Sequence, residues 1–161
     1  GLYTVGDKQL QDFHLNIRHS VPNCMSTENF KGILYGQGRA VFDGLIYVEK
    51  QAQGTDAHLS NANLMLTRKA EVDTKPQLEI YADDVKCSHG TTVGQLDAQQ
   101  VFYLRSRGID EATAHKMLCL GFAGEVVNGI EIDALRTYIE TQVQNSLDTV
   151  TEMVSGESDD H

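Results

Sequence analysis

Basic side chains are scarce in this 161-residue chain: 13 Lys and Arg face 23 Asp and Glu, for a formal net charge of −10 at neutral pH. Counterion release on a phosphate backbone needs clustered positive charge, and no Lys/Arg block occurs, so the composition argues against a nucleic-acid partner. Long apolar runs are absent as well. No stretch reaches the roughly 18 residues of a membrane span, and residues 1–20 lack the charged-then-apolar order of a signal peptide, so the expected setting is the cytoplasm, with no membrane partner. Cys24, Cys87 and Cys119 are odd in number and far apart, which suits reduced thiols better than a disulfide framework or a C-x-x-C metal knuckle. With only 2 Pro and 40% apolar residues, the chain is rich enough in core-forming side chains to fold rather than remain disordered.

What is present divides at about residue 94. Residues 1–94 offer short β-branched and aromatic runs punctuated by Gly, Asn and Asp. In residues 12–18, Phe13, Leu15 and Ile17 alternate with polar neighbours, the pattern of a strand with one buried face. Further strands are expected at 30–35, 40–48, 58–66, 78–81 and 85–89. Apolar positions recur at a spacing of 16, with Ile46, Ala62 and Leu78 in one series and Val48, Leu64 and Ile80 in another. Stacked rungs of a parallel β-helix give such a period, although the pattern alone also fits a β-sandwich.

From Asp97 the pattern turns helical. Asp97 with Gln100 reads as a capping box opening a helix to Arg107, and Gly108 stands where a C-terminal glycine belongs. Asp110 caps a second helix, with Ala114, Met117, Leu118, Gly121 and Phe122 as its apolar face; Phe122 and Val126 are expected to leave surface for a partner. A third helix spans about 131–154 on the stripe Ile132, Leu135, Ile139, Val143, Leu147 and Val150, and residues 156–161 read as a frayed polar tail. The expected domains are thus β rungs over 1–94 and a small helical unit over 95–161.

Phosphate-binding loops, nucleophile elbows, H-E-x-x-H and Asp-rich calcium loops are all missing, which removes the familiar signatures of nucleotide, esterase and metalloprotease chemistry. His14 and His19, five apart on one strand, project to opposite faces and cannot share a metal. His58 reads as an outward, uncommitted imidazole, and Cys119, between Leu118 and Leu120, as a buried inert thiol near His115. One constellation stands apart, Asp83-Asp84-Val85-Lys86-Cys87-Ser88-His89-Gly90. Cys87 and His89, two apart on a strand, emerge from one face and could offer a thiolate and an imidazole to iron or zinc, with Asp83 or Asp84 nearby. On residue chemistry alone an ordinary strand-to-loop transition with a packed Cys is the favoured reading, because two ligands do not make a stable metal site and a tetrahedral site generally needs four. Any metal must therefore be shared with a partner, and none is expected to be stable in the isolated chain.

Several longer stretches carry more specific wording: Gly38-Arg39-Ala40-Val41-Phe42-Asp43-Gly44, Ala52-Gln53-Gly54-Thr55-Asp56-Ala57, the run from Ala70-Glu71-Val72-Asp73-Thr74-Lys75-Pro76-Gln77-Leu78-Glu79 through Cys87-Ser88-His89-Gly90, and Phe102-Tyr103-Leu104-Arg105-Ser106-Arg107-Gly108. Together they resemble the C-terminal part of the SufB/SufD family of iron–sulfur cluster assembly proteins, over about residues 1–140. The Asp73-Thr74-Lys75-Pro76-Gln77-Leu78-Glu79 wording is of the SufD type, and the position matching the SufB cysteine falls at Asn61. The resemblance implies a right-handed parallel β-helix followed by a C-terminal helical domain. It also implies that the chain, beginning at Gly1, lacks the family's N-terminal helical region and first rungs. As partners it implies SufB, in a heterodimer whose interface carries a transient iron–sulfur cluster, and the SufC ATPase, bound through the C-terminal helices. Cys87 and His89 match the family's interface pair.

The expected role is that of a non-enzymatic assembly subunit. A rigid structural spacer with no ligand role is the alternative. A polysaccharide-processing β-helix enzyme would need paired carboxylates in a cleft, and the adjacent Asp83 and Asp84 point apart in extended chain. Uncovered rung edges further suggest a homodimer of this fragment.

Overall fold

The computed structural model describes residues 1–157, with side chains described to residue 150 apart from residue 149. Seven strands come first: β1 (Leu2–Val5), β2 (Leu10–His19), β3 (Met25–Leu34), β4 (Arg39–Val48), β5 (Thr55–Met65), β6 (Glu71–Ile80) and β7 (Val85–Gly94). Three helices follow: α1 (Ala98–Ser106), α2 (Glu111–Val127) and α3 (Asp133–Glu157). The strands alternate between two parallel sheets, ordered β1-β3-β5-β7 and β2-β4-β6. The result is a parallel β-solenoid of about three turns, mainly β with appended α. Residues 158–161, within the expected frayed tail, lie outside the described residues.

Register shows what the 16-residue period means. Leu10 lies opposite Arg39, and Arg39 opposite Glu71, offsets of 29 and 32 residues, because one turn uses two strands. Ile46 does stack on Leu78 and Val48 on Ile80, but Ala62 pairs with Lys31 and Thr92 in the other sheet. The period of 16 is therefore half a turn, and the middle member of each series belongs to the facing sheet. Strands also begin earlier than the apolar runs suggest. β3 starts at Met25 and β6 at Glu71, since ladder hydrogen bonds extend pairing through polar residues once neighbours are in register.

Inward residues fill the solenoid. On β4, Ala40, Phe42, Ile46 and Val48 are fully buried on the inward face with Gly44 among them, while Val41, Asp43, Leu45 and Tyr47 alternate on the outer face. Tyr3, Phe13, Phe30 and Phe42 pass ring to ring through the interior, with centroids 4.9, 6.4 and 5.0 Å apart in succession. Each such pair adds about 0.5–1.5 kcal/mol to its area burial. Tyr3 also donates its hydroxyl to Asn63 Oδ1 at 2.6 Å and accepts from Asn61 Nδ2 at 3.1 Å, so the interior amides are satisfied. The corners stack too: Asn23, at φ 60°, donates its backbone N–H to Gln53 O beside Gly54, at φ 72°. A Cβ on Gly54 would come within 2.5 Å of Asn23 Oδ1, so glycine serves both the left-handed backbone and the close approach.

The helices cover one outer face of the four-stranded sheet. Ile33 and Leu64 form a common apolar cluster with Cys119 and Ala123 of α2 and Leu147 and Val150 of α3. Lys31 is almost fully buried beneath α2, donating Nζ to Phe122 O at 3.1 Å, pairing with Glu125, and lying 4.4 Å from the Phe122 ring centroid. The sequence therefore misassigned part of α2. Its buried residues are Ala114, Cys119, Ala123 and Val127, Met117 is 45% exposed, and Phe122 packs on the solenoid instead of waiting for a partner. On α3 only the C-terminal part of the expected stripe is buried, whereas Ile132 and Leu135 are exposed.

Candidate functional site

β6 and β7 are the end strands of their sheets, so each leaves one backbone edge unpaired among the described residues. Cys87 stacks on Ala57 and His89 on Leu59, both interior residues, so thiol and imidazole face the end of the solenoid interior from one side of β7. Alternation in residues 85–89 creates that shared face, as the two-residue spacing requires. Cys87 is half-buried against the core of Phe42, Ala57 and Leu59, while His89 is exposed and bridges to β6, with Nδ1 3.0 Å from Pro76 O.

Electrostatics keep Cys87 a thiol. Burial pushes its pKa up, the Asp56 carboxylate adds to that, and a backbone hydrogen bond at Ala57 opposes it. A metal would thus have to displace a proton to bind sulfur there. Asp83 and Asp84 do not join the pair. They lie in the β6–β7 turn, where Asp84 N–H donates to Gln53 Oε1 at 2.8 Å and Asp83 lines a shallow cavity with Arg18, Tyr47 and Tyr81. Among the described residues no three His, Cys, Asp or Glu side chains gather into a metal site. Asn61 is fully buried within the Tyr3–Asn63 network and offers nothing to the open end.

The remaining histidines and thiols sort by strand face. His14 points out, 3.0 Å from Asp12, and His19 points in, buried against Ser26 Oγ at 3.0 Å. Cys119 is fully buried, and its pKa is pushed up to about 12 by desolvation. His58 departs from expectation: it is outward but committed, with Nε2 2.7 Å from Asp56 Oδ1 and Nδ1 2.6 Å from Ser88 Oγ. Asp56 and His58 are visibly two apart in sequence, but the third member required the β5–β7 register, which places Ser88 opposite His58. The buried Lys31 beneath α2 was equally invisible, because its polar type signals surface.

On the helical unit, a cleft of about 430 Å³ lies between the end of β5 and α1–α2, lined by Leu66, Arg68, Val101, Phe102, Arg105 and His115 among others. Phe102, Tyr103, Ile132 and Tyr138 are more than half exposed. No described helix is long and apolar enough to cross a membrane.

Residues 1–122 match the family model described as "SUF system FeS cluster assembly, SufBD core domain". The chain is 47% identical over 131 residues to iron–sulfur cluster assembly protein SufD of Escherichia coli, covering 81% of this chain and 31% of that protein. It is 42% identical over 135 residues to the SufBD family protein slr0076 of Synechocystis, covering 84% of this chain and 30% of the relative. To the chloroplastic protein ABCI7 of Arabidopsis thaliana it is 37% identical over 142 residues, covering 88% and 30%. The chain therefore spans about a third of the length of these relatives. With the solenoid and the Cys87–His89 face beside these matches, the chain belongs to the SufB/SufD family of iron–sulfur cluster assembly proteins and is a homologue of SufD.

Proposed function

We propose that this chain is a non-enzymatic assembly subunit of a cytoplasmic iron–sulfur cluster machine, pairing with a SufB partner along β6 and β7 and coupling to a SufC ATPase through its helices. The observation that carries this reading is the placement of Cys87 and His89 side by side over an open solenoid end, on a strand with a free outer edge. Such an edge is a template for strand addition, so a partner can complete the ladder and the coordination sphere in one step. Two donors leave most positions of an iron site unfilled, so the cluster is cargo held transiently at the interface, and the chain alone carries none. The exposed Phe102, Tyr103, Ile132 and Tyr138 supply apolar surface for the ATPase.

Half-burial of Cys87 against the core favours one rival, a rigid spacer in which the pair has no ligand role. The test is co-expression with SufB and SufC, followed by reconstitution with iron and sulfide. Variants His89→Ala and Cys87→Ala are expected to retain the complex while losing cluster yield. Wild-type yield from both variants would establish the spacer instead. Because Ile33 and Leu64 share a core with α2 and α3, the ATPase surface is better tested by Phe102→Asp in the intact chain than by deleting the helices.

A further inference from the structure

His89 reaches from β7 across to β6, where its Nδ1 is hydrogen-bonded to Pro76 O at 3.0 Å. A backbone carbonyl has no proton to give, so Nδ1 carries the hydrogen of this bond. In the neutral ring the second nitrogen, Nε2, is then left with a free lone pair, and among the described residues it has no hydrogen-bond or ion-pair partner. The backbone of β6 explains why that carbonyl is available. Glu71 N–H donates to Gly38 O, and Tyr81 N–H, just past the strand, to Val48 O, both at 2.9 Å. Odd-numbered residues of β6 therefore turn their backbone groups toward β4, and even-numbered ones, Pro76 among them, turn theirs to the unpaired edge. Proline has no N–H to leave unsatisfied there, and its ring-locked φ stiffens the backbone that bears the carbonyl.

We infer that Pro76 is a positioning residue for His89: its carbonyl holds the neutral imidazole in the Nδ1–H form and so makes Nε2 the nitrogen offered to iron at the interface. The inference rests on the reading of His89 as an interface donor and adds to it the atom that donates and the group that aims it. A histidine that binds a metal through one nitrogen commonly gives its other N–H to a carbonyl or carboxylate, which fixes the ring and raises its basicity. In this chain that supporting bond is already made within one subunit, before a partner completes the site. An unconstrained neutral imidazole in water favours the proton on Nε2, so the Nδ1–H form is a signature of the bond to Pro76 and not of exposure.

The experiment is nitrogen NMR of the intact chain carrying isotope-labelled histidine, at about pH 8.5, above the ordinary range of histidine titration. The spectrum of His89→Asn identifies the His89 signals by their loss. His89 is expected in the Nδ1–H form with an unprotonated Nε2. Pro76→Gly, which keeps the carbonyl but frees the backbone that bears it, should shift the ring toward the Nε2–H form, and circular dichroism would confirm that both variants fold. The second measurement is cluster yield after reconstitution with SufB and SufC. The amide of His89→Asn can still donate to Pro76 O but has nothing in the place of Nε2, so this variant should lose cluster yield as fully as His89→Ala. An Nε2–H ring in the wild-type chain, or one averaged like free histidine, would overturn the inference. So would wild-type yield from His89→Asn beside a loss from His89→Ala, since the bond to Pro76 would then suffice without Nε2. Wild-type yield from both variants would refute the ligand reading underneath, and it is told apart because the Nδ1–H signature would persist.

Discussion

Replacing His89 by alanine asks whether this imidazole belongs to an interface or to the fold, and the structure sets the size of the answer. Its side chain is exposed, and its Nδ1 lies 3.0 Å from Pro76 O, within hydrogen-bond distance. A net hydrogen bond of this kind contributes about 1 kcal/mol or less at a solvated site. For a domain of this size about 1 kcal/mol moves Tm by roughly 2–4 °C, so His89→Ala should melt within about 4 °C of wild type. Phe42→Ala provides the contrast. Phe42 is fully buried and stacks 5.0 Å from Phe30, so its loss should cost about 3–5 kcal/mol and lower Tm by roughly 6–20 °C. Thermal melts by circular dichroism give the first reading, and cluster absorbance of the complex reconstituted with SufB gives the second. A Tm drop for His89→Ala as large as that for Phe42→Ala would show that the imidazole holds the last rung together. A small drop with full cluster yield would refute the ligand role.

Cys119 should resist alkylation in the folded chain while Cys24 reacts, as mass mapping after iodoacetamide would show, because burial pushes its pKa up to about 12. A thiol raised in the fold keeps its proton there. Its stabilising contribution is therefore complete below pH 9.0 and is lost as pH climbs toward about 12, at about 1.4 kcal/mol per pH unit, a slope that Cys119→Val should remove from denaturant titrations. Lys31→Met should destabilise by about 2 kcal/mol through lost contacts to Phe122 O and the Phe122 ring, whereas Glu125→Gln should cost under about 1 kcal/mol because Glu125 is 70% exposed. Equal costs in urea melts would mean that the ion pair, not burial of the lysine, fastens α2. Gly32→Ala should cost about 2–4 kcal/mol, since its Cβ would collide with the Tyr3 ring and Asn63 Oδ1 and disturb their hydrogen bond. Light scattering over a dilution series should show self-association through the β6–β7 edge, where Ile80, Tyr81 and Val93 are exposed, and a monomer at high concentration would count against it.

Local chemistry alone marks where strands give way to helices, because period-two alternation ends before Asp97 and capping carboxylates begin there. Asp97 accepts from Gln99 N–H at 2.8 Å and Asp110 from Thr113 N–H at 2.9 Å, local bonds that sequence neighbours can make unaided. It also determined that Cys87 and His89 share a face, since a pleat fixes side chains two apart without reference to any other strand. Everything that depends on register needed the folded chain. Whether a spacing of 16 was a rung or half a turn, and that Ser88 meets His58, rest on strand pairings about 30 residues apart, while the inward face of α2 and the burial of Lys31 beneath it rest on contacts spanning 91 residues. Each β-strand has two faces and two edges of similar local chemistry, and only the neighbour a full turn away determines which of them is covered.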